Sequence, residues 1–294
     1  IPKRIRKYLK LLINKCFMNN DLYTGIIMVK KKRGNLIFKE IKKGFEGRND
    51  SMIKLMKLAD SKYTFPDFKK IYFSTGDIYN SNTNYSYSSM SGEGTFPDFV
   101  FDKWSNVGIR SYEELTFELL RLNLNGPCIN KVGWIGNSNV ASIRKKLIEM
   151  GVANSNIFEF MDSGNWEVGK SVDRLDTTGH AYISVPQLCQ KYKVLIDVEG
   201  GGYSGRLKLL LHAGRPLLLV DRPHKEFFFK SLEPYKHYVP VKRDLSDLLE
   251  KTRWIFDNSE KVEMIGLNAR KFAMSNLSVD AALKRFEEIV LEKI

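Results

Sequence analysis

A glycine-rich stretch at residues 199–208, EGGGYSGRLK, constrains the fold of this chain more than any other segment. It follows a short apolar run at 193–198, which is typical of a buried strand, and it leads into a helical pattern at 206–214. A strand, a glycine-rich turn and a helix together form a cradle for a phosphate group, because the first N–H groups of the helix point at the anion. Arg206 adds a planar fork that suits a diphosphate.

The glycine-rich stretch is not specific by itself. Its glycine spacing differs from that of a dinucleotide fingerprint and from that of a P-loop, so neither of these nucleotide sites is indicated. A plain strand-to-helix turn with a solvated arginine explains the stretch equally well. The rest of the chain therefore has to decide between a phosphate site and a structural turn.

Composition limits the classes of protein to which the chain can belong. It has 294 residues, of which 43% are hydrophobic and 28% charged, and these values are typical of a globular protein rather than a disordered one. A net charge of +13 predicts attraction to anions, which include nucleic acids, membrane surfaces and phosphorylated small molecules. The basic residues are scattered and no nucleic-acid-binding module is recognisable, so we predict no nucleic-acid partner.

The cysteines and the hydropathy of the chain indicate its cellular compartment and its relation to membranes. Cys16, Cys128 and Cys189 are far apart and odd in number, which favours a reducing compartment and predicts a cytoplasmic protein. No apolar run approaches the roughly 20 residues that a membrane-spanning helix needs. Residues 1–17 have the apolar and basic pattern of an amphipathic helix. Such a helix packs on its own domain or makes peripheral contact with a membrane, and we favour the first interpretation.

The first half of the chain carries one candidate catalytic group. Its patterns predict a hairpin at 25–38, a helix at 51–59 capped by Asp50, and a strand that ends at Asp77. Ligands of open α/β sheets collect at the carboxyl ends of strands, so Asp77 is a candidate for catalysis, with a turn or helix-cap role as the alternative. The polar segment 81–95 is either an acceptor-binding loop or a disordered connection.

The second half of the chain alternates predicted strands and helices. This order indicates an α/β fold with a parallel sheet and helices on both faces. A segment at 123–131 that contains Gly-Pro precedes it and marks the expected domain boundary. A further strand ends at Asp221, so this residue and Glu226 are expected near the ligand edge of the sheet, with a helix-cap role as the alternative for Glu226.

Residues 180–208 and 226–246 resemble glycosyltransferase family 90, which includes the Rumi-type protein O-glucosyltransferases and the fungal CAP10 proteins. The resemblance implies a GT-B fold, in which two Rossmann-like domains face a cleft and a C-terminal helix crosses back to the first domain. We therefore expect an acceptor-side domain at 1–127, a nucleotide-sugar domain at 128–275 and the crossing helix at 276–294. The resemblance also implies a UDP-sugar donor, inversion at the anomeric carbon and no obligatory metal or other cofactor.

The resemblance further implies roles for individual residues. Family members carry an arginine and then the catalytic aspartate at a strand end, where this chain has Gly76 and Asp77, so it is left open how the acceptor side of the cleft is held. Candidates on the acceptor side are Tyr79, Phe96 and Phe99, whose rings either stack on a sugar or pack in the core. The predicted donor-binding residues are Gly136, Ser138, Arg144, Gly202, Tyr203, Ser204, Gly205, Arg206, Asp221 and Glu226.

The predicted function is transfer of xylose or glucose from a UDP-sugar to a hydroxyl of a glycan or glycoprotein, in a microbial or viral cytoplasm. Asp77 would be the base, and Arg206 and Arg144 would stabilise UDP as it leaves. Two alternatives stay open. A metal-dependent transferase would use Asp197 and Glu199, although alternate residues of a strand point to opposite faces. A noncatalytic protein would bind an anionic polymer, such as nucleic acid, through the net charge of +13.

Overall fold

The computed structural model of the protein describes residues 24–45, 47–126, 128–163 and 183–294, so the predicted amphipathic helix at 1–17 lies outside the described residues. The strands are β1 Ile26–Lys32, β2 Asn35–Lys42, β3 Phe68–Ser74, β4 Tyr85–Ser86, β5 Ile129–Gly136, β6 Phe158–Asp162, β7 Tyr192–Asp197, β8 Leu217–Val220 and β9 Val239–Val241. The helices are α1 Arg48–Tyr63, α2 Tyr112–Leu120, α3 Ser142–Ala153, α4 Val185–Lys191, α5 Leu207–Ala213, α6 Leu248–Asp257, α7 Ser259–Asn276 and α8 Val279–Leu291. None of the described helices is long and apolar enough to cross a membrane.

A five-stranded parallel sheet forms the second half of the chain. Its strand order is β6-β5-β7-β8-β9, and every neighbouring pair is parallel. The central strand β7 is buried on both faces, which explains the continuous apolar run before the glycine-rich stretch. The predicted α/β fold with a parallel sheet is confirmed. The glycine-rich stretch leaves β7 at the carboxyl edge of this sheet.

The sheet of the first half is built differently. Its order is β2-β1-β3-β4, and β1 pairs antiparallel with both β2 and β3. The β1–β2 hairpin closes through Arg33 and Gly34, which both have positive φ, as a two-residue hairpin turn requires. A tight turn of this kind joins antiparallel strands, whereas a Rossmann-like unit needs a crossover helix between parallel ones. The expectation of a Rossmann-like first domain is therefore wrong for the described residues of this half.

Helix α1 begins at Arg48, earlier than the predicted helix at 51–59. Gly47 has φ 76°, a conformation open to glycine, and it turns the chain into the helix. Asp50 consequently lies in the first turn instead of capping the helix. The early start matters for the site, because it places the Arg48 side chain beside the loop that follows β3.

The polar segment 81–95 is packed into the protein. It contributes β4, which pairs in parallel with β3, and both Tyr85 and Tyr87 are buried. The Tyr87 ring contacts Phe96, and the Tyr85 ring stacks on Phe73 at 5.6 Å. Burial of these tyrosine rings outweighs the polar composition of the segment. The segment is therefore not the disordered connection that its sequence allowed, and its alternative role as an acceptor-binding loop stays a prediction.

The last helix packs on the first half of the chain. Lys62 of α1 and Asp280 of α8 form an ion pair at 2.6 Å, and the Phe286 ring contacts those of Phe73 and Phe96. One continuous hydrophobic cluster includes buried residues of both sheets and of α8. The division into 1–127, 128–275 and 276–294 stays a prediction.

Candidate functional site

The structure brings Asp77 against the glycine-rich stretch. A Cβ atom placed on Gly202 would lie 2.2 Å from the backbone oxygen of Asp77, so any other residue at 202 would collide with it. A Cβ atom on Gly201 would lie 3.4 Å from Asp77 Oδ2. Because these two glycines have no side chain, the backbone and the carboxylate of Asp77 can lie against them. The sequence predicted a phosphate at this stretch and did not predict this contact.

Arg48 holds the other oxygen of this carboxylate. Its Nη1 donates to Asp77 Oδ1 at 2.7 Å and to the Thr75 backbone oxygen at 3.3 Å. Burial opposes the charge on Arg48, but the Asp77 carboxylate outweighs it and raises the pKa of the guanidinium above its ordinary value. A side chain at position 76 would displace that of Thr24, because a Cβ there would lie 2.7 Å from Thr24 Oγ1. Sequence reasoning missed Arg48 because the helix was expected to begin later; Gly47 was the available signal.

Two arginines pack over one indole at the carboxyl edge of β5. The guanidinium carbons of Arg144 and Arg206 lie 5.5 and 5.9 Å from the Trp134 ring. Arg144 Nε donates to the Glu199 backbone oxygen at 2.8 Å, and Arg206 Nη1 donates to that of Ile135 at 2.6 Å. Burial, and then repulsion from Arg206, lowers the pKa of Arg144 to about 10. An anion bound here would relieve this repulsion.

The two serines predicted for the donor site are held by carboxylates. Ser204 Oγ donates to Asp197 Oδ1 at 2.8 Å, and both residues are buried. Ser138 makes two hydrogen bonds to Asp162, through its amide and its hydroxyl. The Asp197 carboxylate also accepts from Arg222 Nη2 at 2.7 Å. Asp197 and Asp162 thus anchor the loops that carry these serines.

Asp197 and Glu199 are the two carboxylates that a metal-dependent transferase would use. Asp197 is fully buried in its pair with Arg222, while Glu199 Oε1 accepts from Arg243 at 2.8 Å. Each carboxylate therefore has an arginine partner. Within the described ranges, no group of three or more histidine, cysteine, aspartate or glutamate side chains could hold a metal ion.

Gly136, Gly205 and Tyr203, three further donor-site candidates, lie against aromatic side chains. A Cβ on Gly136 would lie 2.7 Å from the Trp134 ring, and one on Gly205 would lie 3.1 Å from the Trp104 ring. Tyr203 is buried, and its ring lies 6.2 Å from that of Tyr87. All three residues pack against aromatic rings, and their predicted roles in donor binding stay predictions.

The aromatic candidates on the acceptor side differ in exposure. Phe96 is fully buried and packs in the core, so it cannot stack on a sugar. Phe99 is nearly buried and lies under the Arg48 guanidinium at 4.6 Å. Tyr79 is 46% exposed and is the one whose ring a bound molecule could reach.

Glu226 is only 2% exposed, and its role as a donor-binding residue stays a prediction. It is buried with Lys208 and Asp98, and Lys208 Nζ is 2.9 Å from Asp98 Oδ2 and 3.3 Å from Glu226 Oε1. This triad joins the first half of the chain to the second. Burial raises the pKa of Glu226 to about 7, although Lys208 opposes the shift. Asp221, which follows β8, is exposed and stays a candidate.

The pKa of Glu226 predicts a pH dependence of stability. Because the folded protein favours the protonated acid, its stabilising contribution is full below about pH 4.5 and is lost as the pH rises through about 7. The amide of Glu226→Gln does not titrate. The free energy of unfolding of this variant should therefore rise by roughly 3 kcal/mol relative to that of the wild type between about pH 4.5 and about pH 8. Urea unfolding at both pH values measures this difference.

A surface carboxylate provides the matched control. Glu93 pairs with Lys230 and is exposed, and the hydrogen bond from Lys230 lowers its pKa. Glu93→Gln should therefore change stability little across the same range. A difference between Glu226→Gln and wild type that does not vary with pH would contradict the raised pKa of Glu226.

The model of the family described as glycosyl transferase family 90 matches residues 82–292, well over half of the chain. The chain belongs to this family. The resemblance seen in the sequence is confirmed, and the matched range includes the glycine-rich stretch, Arg144 and the Lys208 triad. Arg48 and Asp77 precede it.

Proteins similar to this chain come from animals and viruses. The chain is 27% identical to protein O-glucosyltransferase 1 of Rattus norvegicus over 220 residues, which are 69% of this chain and 55% of that protein. It is 41% identical to human protein O-glucosyltransferase 3 over 83 residues, 28% of this chain and 16% of that protein. It is 39% identical to the uncharacterized protein 179R of Invertebrate iridescent virus 6 over 114 residues, 36% of this chain and 10% of that protein. The chain thus spans about half or less of the length of these relatives.

Solved structures show a looser likeness. The chain is similar to Alr3699/HepE of Anabaena in complex with UDP-glucose, with a TM-score of 0.38 and 11% identity over 60% of this chain and 44% of that one. A likeness at this level carries no argument about the function of the family 90 chain.

Proposed function

We propose that this chain is an inverting, metal-independent glycosyltransferase that moves glucose or xylose from a UDP-sugar to a hydroxyl of a glycan or glycoprotein. The observation that carries the proposal is the contact between Asp77 and Gly201–Gly202, because it places a half-exposed carboxylate on the stretch that leads to Arg206. Membership of family 90 supports the class of reaction. The names of the O-glucosyltransferase relatives make glucose the first sugar to test.

The donor diphosphate is proposed to bind at the carboxyl edge of β5 and β7. Arg144 and Arg206 lie there over Trp134, and burial together with their mutual repulsion lowers the pKa of Arg144. A diphosphate between them would be stabilised by charge-assisted hydrogen bonds in a partly desolvated site. The two arginines would then neutralise the diphosphate charge, which a divalent metal ion neutralises in metal-dependent transferases.

Asp77 is proposed to act as the base. The acceptor hydroxyl gives its proton to the carboxylate, its oxygen forms a bond to the anomeric carbon, and the bond from that carbon to the UDP oxygen breaks. One displacement of this kind inverts the anomeric centre. The acceptor would approach from the side of Tyr79, the exposed aromatic residue next to Asp77.

The larger arrangement is proposed to follow the GT-B plan on its donor side. Residues 1–127 would bind the acceptor, residues 128–275 the nucleotide-sugar, and α8 would hold the two together through its contacts with α1. A reducing compartment such as the cytoplasm is proposed from the cysteines, because Cys128 and Cys189 are both unpaired thiols.

Calorimetric titration with UDP, UDP-glucose, UDP-xylose, UDP-galactose and GDP tests the proposal, with magnesium and with a chelator. We expect UDP to bind independently of metal, one UDP-sugar to be preferred, and GDP to bind weakly. Binding that requires magnesium would favour the metal-dependent alternative. If no nucleotide binds, while affinity for nucleic acid falls steeply with salt, the noncatalytic alternative is correct.

A further inference from the structure

Arg48 is held from several sides at the start of α1. Its side chain is only 12% exposed, and its guanidinium lies 4.6 Å from the Phe99 ring and 5.3 Å from the Phe45 ring. Its Nη1 is shared between Asp77 Oδ1 and the Thr75 backbone oxygen. A guanidinium packed against two rings and bonded to two oxygens has little freedom to turn.

The same contacts orient the carboxylate. Asp77 is 39% exposed and lies in a loop after β3, where an unpaired side chain would sample several rotamers. With Oδ1 bound to Arg48, its Oδ2 lies toward Gly201, within 3.4 Å of where a Cβ of that residue would stand. One oxygen is thus engaged by the protein and the other faces the glycine-rich stretch.

We propose that Arg48 is a positioning residue that fixes Asp77 so that Oδ2 receives the proton of the acceptor hydroxyl. This inference rests on the proposed function, in which Asp77 is the base. Arg48 acts through Asp77 and does not itself contact the reacting atoms. Misplacing a reacting group by about 1 Å can cost about 100-fold in rate, so the expected effect is on turnover and not on donor affinity.

The start of α1 is tied to the glycine-rich stretch as well. The Arg48 backbone oxygen accepts from the Tyr87 hydroxyl at 3.4 Å, and the Tyr87 ring contacts that of Tyr203. The helix turn that carries Arg48 therefore packs, through one tyrosine, on the same stretch that Asp77 faces. Contacts of the first turn of α1 therefore fix both Asp77 and the glycine-rich stretch.

A double-mutant cycle tests the inference. UDP release from UDP-glucose, with water as the acceptor, is measured for wild type, Arg48→Ala, Arg48→Lys, Asp77→Asn and the double variant Arg48→Ala with Asp77→Asn. We expect Arg48→Ala to lower kcat by about 10- to 100-fold with KM unchanged, and Arg48→Lys to recover part of the loss. In the Asp77→Asn background, removal of Arg48 should cost nothing further, because the group it positions is already inactive.

Two controls separate positioning from stability. Arg270→Ala removes another partly buried arginine, one that binds the backbone oxygens of Leu119, His212 and Ala213, and it should lower stability without lowering kcat. Added guanidinium ion should restore part of the activity of Arg48→Ala and leave that of Arg270→Ala unchanged. Additive losses in the double variant, or a kcat loss matched by Arg270→Ala, would overturn the positioning role.

The calorimetric titration with UDP distinguishes failure of the Arg48 positioning role from failure of the proposed transferase function. If wild type binds UDP and releases it from UDP-glucose while Arg48→Ala is as fast as wild type, the positioning role fails and the proposed function stands. If wild type neither binds UDP nor releases it from any of the UDP-sugars, the proposed function fails and the role of Arg48 fails with it.

Discussion

Replacing Asp77 with asparagine is expected to lower the rate of sugar transfer by about 10²- to 10⁴-fold, the usual contribution of a positioned general base. The amide has the shape of the carboxylate and its oxygen can still accept from Arg48 Nη1, so the loop after β3 should keep its conformation. The amide cannot take a proton at neutral pH, and catalysis is lost for that reason. Turnover is measured as UDP release from the preferred UDP-sugar, and UDP affinity by calorimetry.

Donor affinity separates this prediction from a general loss of structure. Asp77→Asn should bind UDP within about twofold of wild type, because the proposed diphosphate contacts come from other residues. Asp67→Asn makes the same chemical change at the exposed hairpin turn, where Asp67 accepts from the amides of Arg33 and Gly34, and it should leave turnover unchanged. If Asp77→Asn keeps turnover within a few-fold of wild type, Asp77 is not the base.

Replacing Arg206 with alanine is expected to weaken UDP binding by about 10- to 100-fold, as loss of a hydrogen bond between charged groups does. Arg206 lies over Trp134 beside Arg144, so the variant removes half of the cationic pair that we propose for the diphosphate. It also removes the hydrogen bond to the Ile135 backbone oxygen, which holds the stretch against β5. Calorimetry with UDP measures the loss.

A charge-matched control and a second ligand sharpen this test. Arg253→Ala removes one positive charge from an exposed position on α6, and it should leave UDP affinity unchanged. Because Arg206 is proposed to meet the diphosphate, its loss should weaken UDP more than UMP. Unchanged UDP affinity in Arg206→Ala would remove this residue from the diphosphate site, and equal losses for UDP and UMP would assign its contact to another part of the nucleotide.

Local patterns of the sequence predicted the strand, turn and helix on the donor side of the site. The continuous apolar run before residue 199 predicted the buried strand β7, and the glycine-rich stretch predicted the turn into α5. The hairpin closed by Arg33 and Gly34 also followed from sequence, because a two-residue turn depends on residues adjacent in the chain. Periodicity and turn chemistry report such local preferences directly. The same patterns, with the family resemblance, singled out Asp77 and Arg206.

Only the tertiary structure decided which side chains meet. Arg48 and Asp77 are 29 positions apart, and their ion pair depends on where α1 begins and on the course of the loop after β3. Glu226 looked like a ligand-facing acid but is buried beside Lys208, whose other partner, Asp98, lies 110 positions away from that lysine. The burial of a side chain depends on which distant elements cover it, and no local pattern records that. The sequence by itself therefore determined the parallel sheet and the candidate base, whereas the packing of α1 and of the glycine-rich stretch around Asp77 decided how that base is held.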